Sequence, residues 1–156
     1  MCQSSMGQRP FPFQNKVRVK VLVADDLISV YSYLAESLAD LDGIEMADVR
    51  LDAEEARKFA IRWQPDVLIM DIHMRGGPGA YILQAIKRAR PATVVIVLTL
   101  FSSDDIRAAT LGLGADFFFD KSTELEQVPV VLRNLKLGAT ACPPAVGFPT
   151  TRGHAW

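Results

Sequence analysis

The chain has 156 residues, 49% of them hydrophobic, a size and composition that suit one domain with a single substantial core. A formal net charge of −1 gives no basic footprint for nucleic acid or an anionic membrane surface, so charge-dependent function must be local. Cys2 and Cys142 match no zinc spacing and follow no secretory leader, and runs such as "VVIVL" are far too short to span a bilayer; together these predict a cytoplasmic protein with free thiols.

Residues 1–16, "MCQSSMGQRPFPFQNK", carry two prolines and clustered Ser and Gln without periodicity, which predicts a flexible N-terminal tail. From Val17 a pattern of a short apolar run, a turn and a stretch with helical spacing recurs to Leu137. The predicted strands are Val17–Val23, Ile44–Arg50, Asp66–Met70, Thr93–Thr99 and Asp116–Asp120. The predicted helices are Ile28–Asp40, Ala53–Trp63, Ala80–Ala89, Asp104–Leu111 and Thr123–Leu137, with Pro129 either kinking the last or starting a separate helix. Gly43, Gly112 and Gly114 fall where helices should end. The third and fourth strands are the most continuously apolar, as central strands of a parallel sheet covered on both faces must be. This predicts a doubly wound α/β fold over residues 17–137, with residues 138–156 forming a second flexible tail.

In such sheets ligands bind beyond the carboxyl ends of the strands. Asp25 and Asp26 follow the first strand, Asp71 the third, Thr99 ends the fourth and Lys121 follows the fifth. Two adjacent carboxylates about 4 Å apart repel by roughly 4 kcal/mol at an effective dielectric near 20, and a cation is the usual remedy. Three acids, a hydroxyl and an ammonium on one rim make chemical sense if Mg2+ sits among the acids and an oxyanion bridges it to Thr99 and Lys121. Asp71 is then placed as a nucleophile toward phosphorus. Each residue also has a plainer reading: Asp25 and Asp26 as a helix cap, Thr99 as an ordinary strand residue, Lys121 as a solvated lysine.

The stretches "VADD", "PDVLIMDIHM", "VIVLT" and "GADFFFDKS" resemble the receiver domain of two-component response regulators, over roughly Val17 to Leu137. The resemblance implies a flavodoxin-like five-stranded sheet of order 2-1-3-4-5. It makes Asp71 the phosphoacceptor for a histidine kinase or phosphotransfer protein. Asp25, Asp26, Asp71 and the His73 backbone carbonyl would hold Mg2+, Thr99 would bond a phosphoryl oxygen, and Lys121 would pair with the phosphate. Phe118 matches the family's switch aromatic and is equally readable as plain core; alternation turns it to the face opposite Phe117 and Phe119.

Three rim residues set the chain apart. Arg75 stands where receivers carry proline, Leu100 where a small residue normally follows the Thr, and Phe101 where polar residues are common; His73 completes the rim. Leu100 is expected to narrow access to Asp71, and His73 with Phe101 to exclude the hydrolytic water.

After Leu137 too little chain remains for a helix-turn-helix or catalytic module, so the expected output is a downstream protein target, with no nucleic acid or membrane contact and homodimerisation left open. Competing readings are a receiver-like module that docks without phosphorylation and a Mg2+-dependent phosphatase with an Asp nucleophile. The phosphatase would want a second Asp where His73 stands. A flavodoxin-like cofactor binder is disfavoured because "ADDL" repels phosphate.

Overall fold

The computed structural model describes residue 13 and residues 18–49, 52–74 and 77–137 of the chain. Cys2, Val17, Arg50, Arg75, Cys142 and the C-terminal segment from 138 lie outside the described residues.

The elements run β1 (Val19–Ala24), α1 (Ile28–Ser37), β2 (Ile44–Val49), α2 (Ala53–Trp63), β3 (Val67–Asp71), β4 (His73–Met74), β5 (Gly77–Pro78), α3 (Ala80–Ala89), β6 (Val94–Thr99), α4 (Asp104–Gly112), β7 (Phe117–Asp120) and α5 (Gln127–Leu137). The main sheet has the order β2-β1-β3-β6-β7, every pairing parallel, and this is the doubly wound order expected from the sequence.

Strand alternation divides the interior into two cores. Val21, Val23, Ile69, Ile96, Leu98 and Phe119 face α1 and α5, whereas Leu22, Leu68, Met70, Val95, Val97 and Phe118 face α2, α3 and α4. Phe118 therefore points away from Phe117 and Phe119, whose rings stack at 6.2 Å on the other side of the sheet. Phe13, from the stretch expected to be a tail, is buried in the α1/α5 core at 6% exposure.

Several boundaries differ from expectation for local reasons. Helix α1 ends at Ser37 rather than Asp40, the following residues forming turns up to Gly43, whose φ of 83° suits glycine. Helix α5 begins at Gln127 rather than Thr123, because the Glu124 side chain folds back to accept from the Asp120 N–H at 2.7 Å and holds residues 121–126 as turns. Pro129 then falls in the first turn of α5, where its missing N–H is unneeded. The β4–β5 hairpin was not legible in the sequence: it pairs His73 with Pro78 and Met74 with Gly77 inside the loop that leads from β3 to α3.

Candidate functional site

The chain folds so that β1, β3, β6 and β7 all end on one edge, delivering Asp25, Asp71, Thr99 and Lys121 to a common rim. Asp25 and Asp71 are held alike. Each carboxylate turns Oδ1 back to accept a backbone N–H two residues on, from Leu27 and His73 respectively, both at 2.8 Å. That leaves each Oδ2 facing Lys121, whose Nζ lies 2.7 Å from Asp25 and 2.8 Å from Asp71. The Asp71 contact is an aligned hydrogen bond, and the Asp25 contact is an ion pair between two buried groups.

The three side chains are withdrawn from water to different degrees: Asp25 is 1% exposed, Lys121 5% and Asp71 16%. Burial pushes the Asp25 carboxyl above its ordinary range, against the pull of Lys121, and the nearby charge of Asp71 adds to the rise. Burial would lower the Lys121 ammonium, but its bonds to Asp25 and Asp71 outweigh that and hold it above the usual lysine value. Lys121 is thus a fixed cation rather than the solvated lysine of the plainer reading.

Thr99 is fully buried, and its Oγ1 accepts the Phe101 N–H at 3.1 Å, which fixes the hydroxyl at the start of the β6–α4 loop. Asp26 is exposed and sits at the mouth of a cleft of about 730 Å³ with Ile72, His73, Pro78, Ile106 and Leu113. Leu100 and Phe101 are 53% and 61% exposed and so are surface residues beside Thr99 rather than part of the core. The Phe101 ring meets His73 edge-on, with centroids 4.9 Å apart, closing one side of the rim. Among the described residues no three acidic, histidine or cysteine side chains form a ready-made metal cage.

Other residues of the site could not be picked out from the sequence. Gly79 packs so tightly that a Cβ would lie 2.7 Å from the Asp71 carbonyl oxygen, so any side chain there would displace the strand end carrying the acid. Asp120 binds the Ser102 hydroxyl and accepts the Ser122 N–H at 2.8 Å, joining the two loops that flank Thr99 and Lys121. Arg107 and Glu124 form a part-buried pair, and Arg107 also donates to the Phe118 carbonyl. Nothing in the sequence singles out Arg107, which reads as a surface charge on its helix.

Comparison with known proteins agrees with this geometry. Residues 21–133 match the model of the response regulator receiver domain. The chain is 28% identical over 128 residues to the response regulator GacA of Pseudomonas aeruginosa, covering 82% of this chain and 60% of that protein. It is 30% identical over 127 residues to the oxygen regulatory protein NreC of Staphylococcus carnosus, covering 81% of this chain and 58% of that one. The chain thus spans about 60% of the length of these curated relatives. Among solved structures, the isolated REC domain of RcsB from Salmonella enterica serovar Typhimurium, in the presence of phosphomimetic BeF3−, superposes with a TM-score of 0.68. The identity is 26%, over 83% of this chain and 96% of that one. With DD, D, T and K at the ends of parallel strands in the order described, this chain belongs to the response regulator receiver domain family.

Proposed function

We propose that Asp71 accepts a phosphoryl group from the phosphohistidine of a kinase or phosphotransfer protein, and that the resulting change of charge switches the protein's contacts with a downstream target. The observation that carries this reading is the Asp25–Lys121–Asp71 cluster, in which one buried ammonium holds two carboxylates by their Oδ2 atoms. A carboxylate oxygen of Asp71 attacks phosphorus as the P–N bond breaks, and the imidazole leaves with the electron pair. The transferred group brings a charge near −2 and three acceptor oxygens. Lys121 neutralises part of that charge, and the Thr99 hydroxyl turns from its loop to bond one oxygen. Return to the ground state is hydrolysis: water attacks phosphorus, the P–O bond to Asp71 breaks, and the carboxylate and inorganic phosphate are regenerated. The protein is a switch and not a turnover enzyme.

The donor set fits Mg2+. It consists of hard carboxylate oxygens, and the Oδ2 atoms of Asp25 and Asp71 already converge on one cation, Lys121 Nζ, at 2.7 and 2.8 Å. Asp25, Asp71 and the His73 carbonyl would hold the ion, with exposed Asp26 reaching it from the cleft. One or two direct carboxylates and retained waters are what this ion prefers, so no preformed cage is required. When bound, Mg2+ supplies charge neutralisation on the transferring phosphoryl oxygens.

The test is thermal unfolding with Mg2+ and beryllofluoride, separately and together. Together they should raise the melting temperature more than either alone, and Asp71→Asn should remove the joint increment. A joint increment that survives Asp71→Asn would place phosphate recognition elsewhere.

A further inference from the structure

Helix α4 is attached to the domain in an unusual way. Its buried residues are Arg107 and Thr110, both polar, while Ile106 and Leu111 are only partly buried against the core. Helix α3, by contrast, buries Ile82, Leu83 and Ile86. The position of α4 therefore depends on directional bonds more than on apolar area, and Arg107 makes them. Its Nη1 donates to the Phe118 carbonyl at 3.0 Å, its Nη2 pairs with Glu124 Oε1 at 3.2 Å, and the guanidinium lies 4.8 Å from the centroid of the Phe118 ring.

Glu124 leads back to the site. The Oε1 that receives Arg107 also accepts the Asp120 N–H at 2.7 Å, and the Glu124 N–H donates to the Asp120 carbonyl at 2.8 Å. This clasp encloses Lys121, whose ammonium is shared between Asp25 and Asp71. An unbroken run of short polar contacts thus joins Asp71, Lys121, the 120–124 turn, Glu124, Arg107 and α4.

We propose that the Arg107–Glu124 pair is the coupling element by which the charge on Asp71 reaches helix α4. This rests on the phosphoacceptor reading of the same site. New anionic oxygens on Asp71 draw Lys121 away from Asp25, and the clasp moves with the residue it encloses. Glu124 Oε1 then shifts from Arg107, whose charge side chain is 9% exposed. A guanidinium so buried does not tolerate a half-made contact: it keeps its partner or moves to solvent, and this gives α4 two discrete positions rather than a soft drift. Arg107 is a positioning residue in this scheme and touches no reacting atom.

The test is amide hydrogen exchange, with and without Mg2+ and beryllofluoride, on wild type, Arg107→Met and Glu124→Gln. In wild type, filling the site should slow exchange around residues 71–73 and speed exchange in residues 104–112 by about fivefold or more, the lower end of usual coupling strengths. In both variants the segment around Asp71 should still respond, while 104–112 exchanges fast from the outset and gains nothing further. Glu124→Gln keeps the side-chain shape, so it carries the test if Arg107→Met fails to fold. A full ligand-driven acceleration of 104–112 in either variant, or none in filled wild type, overturns the proposal. No response around Asp71 in wild type refutes the phosphoacceptor reading beneath it.

Discussion

Replacing Lys121 with methionine keeps an unbranched stem and removes the ammonium, which isolates its contribution. At 2.7 and 2.8 Å the two ion contacts have Coulomb energies of about 6 kcal/mol each at an effective dielectric near 20. Desolvation of the three ions cancels most of that, and the loss on removing one member of a buried set is about 3–5 kcal/mol, because the partners are left uncompensated. Asp25, 1% exposed, is the partner that suffers most. Against a total stability of about 5–15 kcal/mol, the metal-free variant should be markedly weakened. Magnesium should reverse part of the loss. At about a hundred times its Kd a ligand adds about 2.7 kcal/mol, and in the variant the ion no longer competes with an ammonium for the same Oδ2 atoms, so it binds more tightly. Urea melts with and without Mg2+ measure both quantities, read as midpoint shifts at constant slope. We expect metal-free Lys121→Met to lose about 3 kcal/mol and to gain more from Mg2+ than wild type does. A metal-free loss below about 0.5 kcal/mol, or a Mg2+ gain no larger than wild type's, would refute the shared-cation account of the rim.

Because burial raises the Asp25 carboxyl above its unfolded value, its favourable contribution is complete below the unfolded pKa and disappears as pH rises through the folded one. Because Lys121 keeps its pairing with Asp71, Asp25→Asn should accordingly make the metal-free protein more stable at neutral pH, an advantage that shrinks in acid, while weakening Mg2+ binding; melting curves across pH would show an unchanged difference if burial does not act in this way. Phe101→Asn should speed loss of the phosphoryl group by about tenfold, a barrier change near 1.4 kcal/mol, by replacing an apolar ring beside His73 with a group that orients water. Decay of the phosphoprotein at the wild-type rate would mean that the ring does not border the water's approach. Phe13→Ala should destabilise the domain by about 3 kcal/mol, since it empties a site in the α1/α5 core. An unchanged urea midpoint would show that the Phe13 ring adds nothing to that core.

What was legible in the sequence was what periodicity and strand ends encode. The alternating faces of "VIVLT" and "DFFFD", and the acids, hydroxyl and ammonium that follow the strands, need only the right-handed βα rule to converge. The rest depended on contacts that cross between elements. Arg107 reads as a surface charge until α4 is docked, and Glu124 reads as helix until its side chain is seen reaching back to Asp120. Gly79 looks like one more turn residue in "GGPG", although the close approach of Asp71 is what forbids a side chain there. Phe13 was hidden by its proline-rich surroundings, which carry no periodic face from which burial could be inferred.

The most direct test of the central claim is intact-mass spectrometry after incubation with acetyl phosphate and Mg2+, followed by peptide mapping. The account predicts one added phosphoryl group, labile to hydroxylamine as an acyl phosphate must be, mapped to Asp71, dependent on Mg2+ and absent from Asp71→Asn. Equal labelling of Asp71→Asn, or a modification that maps to another residue, would contradict it.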